Sequence, residues 1–331
     1  MLYKENSDIT KKYKEEYVNG FERIIRKREQ QAETVRSSHD VFENQEKYRR
    51  ELCEMLGYPL IGIINEAETT VSMEKLSDED DFSVYRMHFT ILDAITLTGL
   101  FFKQNGNERK PLAIVQHGGD GTPELMSGFY ENTANYNDMT ERILKFGVHA
   151  FAPQLLLWDN VLCDRRAIDA RLKRVGSSVA AVEIYAIRKI LDYFETKEYV
   201  KNFGMAGLSY GGFYTLFTAA VETRIKAAVS CSFFNTRDMC FASDWTWQNS
   251  AEKFDDAEIA CLVYPRNLCI EVGKHDELFN CKGAELSFEK LKKKCANVGT
   301  DWVDFVEFDG LHEFCKDDEP LKHLADILFE E

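Results

Sequence analysis

The residues of this chain that could do chemistry gather around one serine. In "GMAGLSYGG", residues 204–212, Ser209 is crowded by Gly207, Gly211 and Gly212, between an apolar run and a helical pattern. Glycine costs stability inside regular elements, so this density marks a tight turn or a close backbone approach. The spacing Gly207-x-Ser209-x-Gly211 on a strand-to-helix turn is that of a nucleophile elbow, which holds the serine in a strained conformation with its hydroxyl exposed. The helix that follows points its amino end at the same place, where N–H groups and the helix dipole favour an anion. On the pentapeptide alone, an ordinary glycine-rich turn remains the alternative.

A serine hydroxyl needs a base, the base needs an orienting carboxylate, and the oxyanion needs donors. "EVGKHDELF" places Asp276 just past the end of one predicted strand, and "FDGLHEF" places His312 just past the last one. The chain order serine, aspartate, histidine is the order of α/β-type hydrolytic triads. His312 is the expected general base and acid, and Asp276 the expected orienting acid. Glu277 and Asp309 are rival carboxylates. Glu277 would point the opposite way on an extended segment, and Asp309 is too close to His312 along the chain. His275 is a rival base, badly placed beside the acid.

For the oxyanion, "IVQHGGDGTPE" ends a buried strand in His117, Gly118 and Gly119. The Gly119 N–H and that of Tyr210, the residue after the nucleophile, form the expected pair of donors. His117 reads as a loop organiser rather than a base.

These groups meet only if the elements between them alternate correctly. From Thr69, "TTVSMEKL", "FSVYRMHFTIL" and "ITLTGLFF" predict a short antiparallel meander. The later strands, "LAIVQHG", "GVHAFAP", "VKNFGMAGLS", "IKAAVSCSFF", "NLCIEVGKHD" and "DFVEFDG", are short and apolar, as buried parallel strands are. Helical patterns separate them. The clearest, residues 177–197, places Val179, Val182, Ala186, Ile190 and Phe194 on one face. The fold class expected is α/β: a mostly parallel, doubly wound sheet with antiparallel N-terminal strands.

Residues 3–56 read as helical and highly charged, closed by Gly57 in a left-handed cap with Pro59 after it. The expected division is 1–64, a helical extension that packs on the body or on a second subunit of a homo-oligomer, and 65–331, the catalytic domain. A lid insertion is expected at about 235–262. There Trp245 and Trp247 could stack on a sugar ring, wall an acyl pocket, or pack the lid down. The basic run 163–175 reads as a solvated face rather than a carboxylate site.

Composition bounds the rest. Hydrophobic residues make up 44% of 331, enough for a full core, and the formal charge of −15 argues against nucleic acid or an anionic membrane as partner. The N-terminus has no apolar stretch of signal-peptide length, and nothing approaches a membrane span. Nine cysteines without a C-x-x-C pair predict reduced thiols in a cytoplasmic setting and no structural zinc.

With these pieces the chain resembles the α/β-hydrolase superfamily, and within it the dienelactone-hydrolase and acetyl-xylan-esterase-like branch. The resemblance runs through "QHGGDG", "FAPQLLLWD", "GLSYGGFYTLFTAA", "YPRNLCIEVGKHDELF" and "FDGLHEF", spanning residues 69–331. The helices ahead of them, with "YRRELCEMLGYPL", are similar to the extension of some bacterial esterase-like members. It implies a serine hydrolase that works through an acyl-enzyme on a small-molecule ester, without metal or cofactor, with Ser209, Asp276 and His312 at the triad positions. Glucuronoyl-esterase relatives carry arginine after the nucleophile, where this chain has Tyr210, and secreted polysaccharide esterases carry signal peptides. Both departures weaken xylan as the substrate. The competing expectations are a serine peptidase of prolyl-oligopeptidase type and a non-catalytic binding protein that keeps the fold.

Overall fold

The computed structural model describes residues 6–57, 69–92, 95–156, 164–237 and 243–330. Nine strands form one sheet: β1 (Thr70–Asp78), β2 (Phe82–Ile91), β3 (Ile95–Gln104), β4 (Lys110–Gln116), β5 (His149–Pro153), β6 (Val200–Leu208), β7 (Ile225–Cys231), β8 (Asn267–Gly273) and β9 (Val303–Phe308). Their spatial order is β1-β2-β3-β5-β4-β6-β7-β8-β9. β1, β2 and β3 pair antiparallel, as does β3 with β5, and every pairing from β5 to β9 is parallel. The meander and the parallel run expected from the sequence are both present. This is the α/β-hydrolase arrangement.

The helices are α1 (Asn6–Ser37), α2 (Gln45–Leu56), α3 (Pro123–Met126), α4 (Met139–Lys145), α5 (Arg165–Arg174), α6 (Val179–Glu195), α7 (Tyr210–Val221), α8 (Ser250–Lys253), α9 (Asp256–Cys261), α10 (Cys281–Lys294) and α11 (Glu319–Phe329). None of the described helices is long and apolar enough to cross a membrane. Alternation along β6 explains why helices cover both faces. Phe203 and Met205 enter one core cluster with residues of α2, α6, α7 and α9, while Ala206 and Leu208 enter a second with α4 and α11. In α6, Val179, Ala186, Ile190 and Phe194 are buried as the periodicity predicts, and Ile184, Ile187 and Leu191 widen that face.

The N-terminal helical region is divided into α1 and α2. Ser37, Ser38, Asp40 and Asn44 lie at the break, and such side chains compete with helical backbone bonds. Gly57 caps α2 at φ 83°, and its N–H reaches the Cys53 and Glu54 carbonyls. The Arg49 guanidinium donates to the Ala220 and Leu262 carbonyls, which ties α2 to the end of α7. The lower part of the extension is thereby fastened to the helix that begins directly after Ser209.

Candidate active site

Ser209 occupies the corner between β6 and α7 at φ 59° and ψ −116°. A non-glycine residue at positive φ is strained and persists only where its surroundings enforce it. Here they do. A Cβ on Gly207 would come within 2.4 Å of the Gly211 backbone, and one on Gly211 within 2.0 Å of the Gln116 carbonyl. The Ser209 N–H donates to the Cys231 carbonyl at 2.9 Å, which ties the corner to β7.

His312 and Asp276 lie beyond β9 and β8, at the same carboxyl edge of the sheet as Ser209. His312 Nδ1 and Asp276 Oδ2 are 2.8 Å apart. The other oxygen, Asp276 Oδ1, accepts the Leu278 and Phe279 N–H groups at 2.8 and 2.9 Å. Burial opposes the charge of Asp276, but the His312 bond and these amides outweigh it and hold the carboxyl below its ordinary pKa. Phe279 lies nearly parallel to the imidazole, ring centres 5.7 Å apart. The rivals are spoken for elsewhere: His275 Nε2 and Asp309 Oδ1 pair with each other at 2.9 Å on the exposed surface.

The loop carrying His312 is tied down by side chains that the sequence did not single out. Asn135 Nδ2 donates to the His312 carbonyl at 3.1 Å, and the Asn135 carbonyl accepts the Phe314 N–H. Asn137 donates to Glu313 Oε2 and to the Phe314 carbonyl, and Arg142 to the Cys315 and Asp317 carbonyls.

Gly119 stands three residues beyond β4, in a turn where Asp120 has φ 55°. Among the described residues its amide donates to no protein acceptor. Tyr210 opens α7 directly after Ser209. Gly118, between Gly119 and the strand, packs so close that a Cβ there would meet the Leu208 carbonyl at 2.8 Å and Ser209 Cβ at 3.0 Å. Its N–H donates to the Tyr136 hydroxyl at 3.0 Å. His117 is the loop organiser that its position suggests. Its Nδ1 faces the Gly118 carbonyl at 2.9 Å, its Nε2 accepts the Leu155 N–H at 3.0 Å, and burial lowers its pKa to about 4.

The basic run overturns one expectation. Arg165 is not on a solvated face. It is wholly buried, with Nε on Asp244 Oδ2 at 2.7 Å, Nη1 on Glu183 and the Leu156 carbonyl, and Nη2 on the Tyr214 hydroxyl. Its guanidinium also lies 5.1 Å from the Tyr210 ring centre, and the Tyr210 hydroxyl donates to the same Asp244 oxygen at 2.8 Å. Arg165 shares the inward face of α5 with Asp169 and the half-buried Lys173, at four-residue spacing, while Arg166, Arg171 and Arg174 are exposed. Its partners come from α6, α7 and the segment after β7, which no local spacing could reveal.

Within the expected lid, residues 238–242 lie outside the described residues. Trp247 is buried against Phe213 and Phe217 of α7, with Lys173 over its ring. Trp245 is part-buried and touches Tyr210, Phe233 and Phe279, so an aromatic row connects it to His312. The packing of Trp247 fastens the segment. Trp245 borders the site. As for metals, Cys281, Glu285 and Glu307 bring three ligand atoms within 4.8 Å of one another. Burial raises the Cys281 thiol, which works against a thiolate ligand there.

Comparison with known proteins agrees with the geometry. Residues 126–320 match the dienelactone hydrolase family. YtaP of Bacillus subtilis (strain 168), a hydrolase by name, is 26% identical over 259 residues, which are 68% of this chain and 84% of YtaP. A Bacteroides fragilis NCTC 9343 structure described as an acetyl xylan esterase superposes with TM-score 0.67 at 15% identity, covering 85% of this chain and 82% of that one. A glucuronoyl esterase from Solibacter usitatus gives 0.64 at 13%, covering 85% and 92%. Acetyl xylan esterase 1 from Thermoanaerobacterium sp. JW/SL YS485 gives 0.58 at 14%, covering 87% and 94%. The structural likenesses speak to the fold, and the family match, over more than half of the chain, to kinship: this chain belongs to the dienelactone hydrolase family and is a hydrolase with the α/β-hydrolase fold.

Proposed function

We propose that the protein is a serine esterase that cleaves a carboxylic ester of a small or sugar-linked substrate through an acyl-enzyme. The observation that carries this reading is the 2.8 Å His312–Asp276 contact at the sheet edge where the strained elbow presents Ser209. In the first half-reaction Ser209 Oγ adds to the ester carbonyl carbon while His312 Nε2 takes its proton. Asp276, ionised at neutral pH, keeps Nδ1 protonated and supports the imidazolium. The oxyanion accepts the N–H groups of Tyr210 and Gly119, each such donor being worth about 2.7–4 kcal/mol in comparable sites. Collapse of the intermediate expels the alkoxide, which takes the proton from His312. Water then repeats the sequence on the acyl-enzyme and releases the acid.

The acetyl xylan and glucuronoyl esterases among its structural neighbours support a sugar-linked ester. In both types the scissile ester is uncharged, so neither asks for a cation at the reacting group. Arg165, whose donors are committed to Asp244, Glu183, Tyr214 and Leu156, is not offered to a substrate anion in this reading. The seven described cysteines are free thiols, which supports a reducing, cytoplasmic setting.

The test is hydrolysis of p-nitrophenyl esters from acetate to decanoate, with Ser209→Ala as control and a fluorophosphonate label on the wild type. Short-chain activity that falls on the order of 10⁶-fold in the variant is the expected result. A folded wild type that neither labels at Ser209 nor turns over any ester would sink the reading.

A further inference from the structure

We propose that the free part of α1 is a self-association surface, on which a second copy of this chain packs its own α1 antiparallel, centred near Gly20. This inference is independent of the proposed reaction.

Three observations carry it. The first is the unpartnered face. Everything described that fastens α1 to the body falls at or beyond Arg28: Arg28 to Glu252, Glu33 to Lys290, buried Ala32, and Arg36 to Asp255 and Glu258. Residues 6–27 project about 30 Å beyond that point. Yet α1 holds eight of the 18 exposed large apolar side chains among the described residues, including Tyr13 (65% exposed), Tyr17 (73%), Phe21 (58%) and Ile24 (67%). A solitary amphipathic helix of this length gains little stability in water without a partner for that face. Each of the three aromatics hides about 150–250 Å² when fully buried. With Ile9 and Ile24 they approach the ~800 Å² per partner that a specific interface needs.

The second is Gly20. It sits mid-helix, where glycine costs about 1 kcal/mol relative to alanine. A Cβ there would meet nothing nearer than Arg23 Nη2 at 3.9 Å, so the monomer has room for a side chain and no use for its absence. Around it Tyr13, Glu16, Tyr17, Phe21, Arg23 and Ile24 border an open, shallow groove on the outer face of the helix. A hole in a helix face receives a knob from another helix.

The third is the placement of charge. Tyr13, Tyr17, Gly20 and Ile24 follow the alternating four-three-four spacing of core positions in a two-stranded coiled coil. Glu16 and Arg23 then occupy the same flanking position in successive heptads, with Gly20 beside their midpoint. In an antiparallel pair, that register sets Tyr17 over the partner's Gly20 and Tyr13 against the partner's Ile24. It also sets Glu16 opposite the partner's Arg23, and two-fold symmetry makes each contact twice. A parallel pair would set Glu16 against the partner's Phe21 and Arg23 against the partner's Arg28, so neither charge would be matched. The pattern is complementary to itself, which is what selects a second copy over an unrelated partner.

The experiment is sedimentation velocity on the full chain across the micromolar range. The wild type is expected to dimerise. Glu16→Arg and Arg23→Glu should each weaken the dimer about tenfold or more, since each sets like charges face to face twice. The double variant should recover wild-type association, and an equimolar mixture of the two single variants should form a heterodimer. Gly20→Leu is a second probe that favours the helix within the monomer, so it does not threaten folding, and it should abolish pairing by filling the hole. Circular dichroism checks that each variant is folded. A wild type monomeric throughout the range, or a dimer unmoved by either charge reversal or by Gly20→Leu, overturns the proposal.

Discussion

The two halves of the candidate site are held by different physical means. The serine corner is fixed by missing side chains: Gly207 and Gly211 let backbones meet at distances no Cβ tolerates, and β4 and β7 enclose the turn. The His312 loop is fixed by added ones. Asn135, Asn137 and Arg142 reach it from across the fold with hydrogen bonds to its backbone and to Glu313. A packed corner yields little and fails all at once. A tethered loop shares its restraint among several bonds of about 1 kcal/mol each, so it should degrade by steps.

The largest effect should come where the two halves work together. Asp276→Asn keeps the shape of the acid but no longer holds His312 in the proton-accepting tautomer. A loss in kcat on the order of 10⁴-fold is expected with little change in KM. A loss under tenfold in a steady-state assay would mean another group orients the imidazole.

At the packed corner, Gly211→Ala should destabilise by about 3 kcal/mol, the upper end for overpacking, because its Cβ is 2.0 Å from a backbone carbonyl and not from a movable side chain. Urea denaturation measures this, and a cost near zero would show that the end of β4 can yield.

Beneath the tethered loop, Glu271 of β8 is fully buried beside the Cys231 thiol and the Cys315 backbone, weak partners whose effect burial outweighs. Burial raises its pKa to about 7. The folded state then holds a proton that the unfolded state has released, so this group lowers stability as pH rises from its ordinary value near 4.5 to about 7. Glu271→Gln should remove a penalty on the order of 3 kcal/mol at pH 8 and change little at pH 4. Equal effects on the denaturation midpoint at both pH values would refute the assignment.

The smallest change tests the tether alone. Asn135→Ala removes one bond to the His312 carbonyl and should cost about 1 kcal/mol, with a loss in kcat of less than about tenfold. If it matched Asp276→Asn, the loop would be as brittle as the corner, and the contrast between the two would fail.

That contrast also marks what could be read in advance. Gly207, Ser209 and Gly211 are legible because a steric demand is local: only glycine meets it, and it leaves a spaced pattern in the chain. Asp276 and His312 are legible because both follow apolar strands of a parallel sheet, whose strand ends share one edge. Arg165 was misread because its neighbours in sequence are basic and solvated, while its partners Glu183, Tyr214 and Asp244 lie on other elements. The position of the break between α1 and α2 is not legible, because charged helical periodicity runs on through the Ser and Asn residues that interrupt it.

By itself, the sequence determined the order of strands and helices, the strained corner and the residues offered to the site. These follow from short-range sterics and from the periods of apolar residues, which repeat every two or about 3.6 positions. Only the tertiary structure decided how His312 is held, how the Arg165 charge is neutralised and which face of α1 is left without a partner. Those depend on groups far apart in the chain, and the free energy of a buried charge or an apolar face is set by what the fold brings against it.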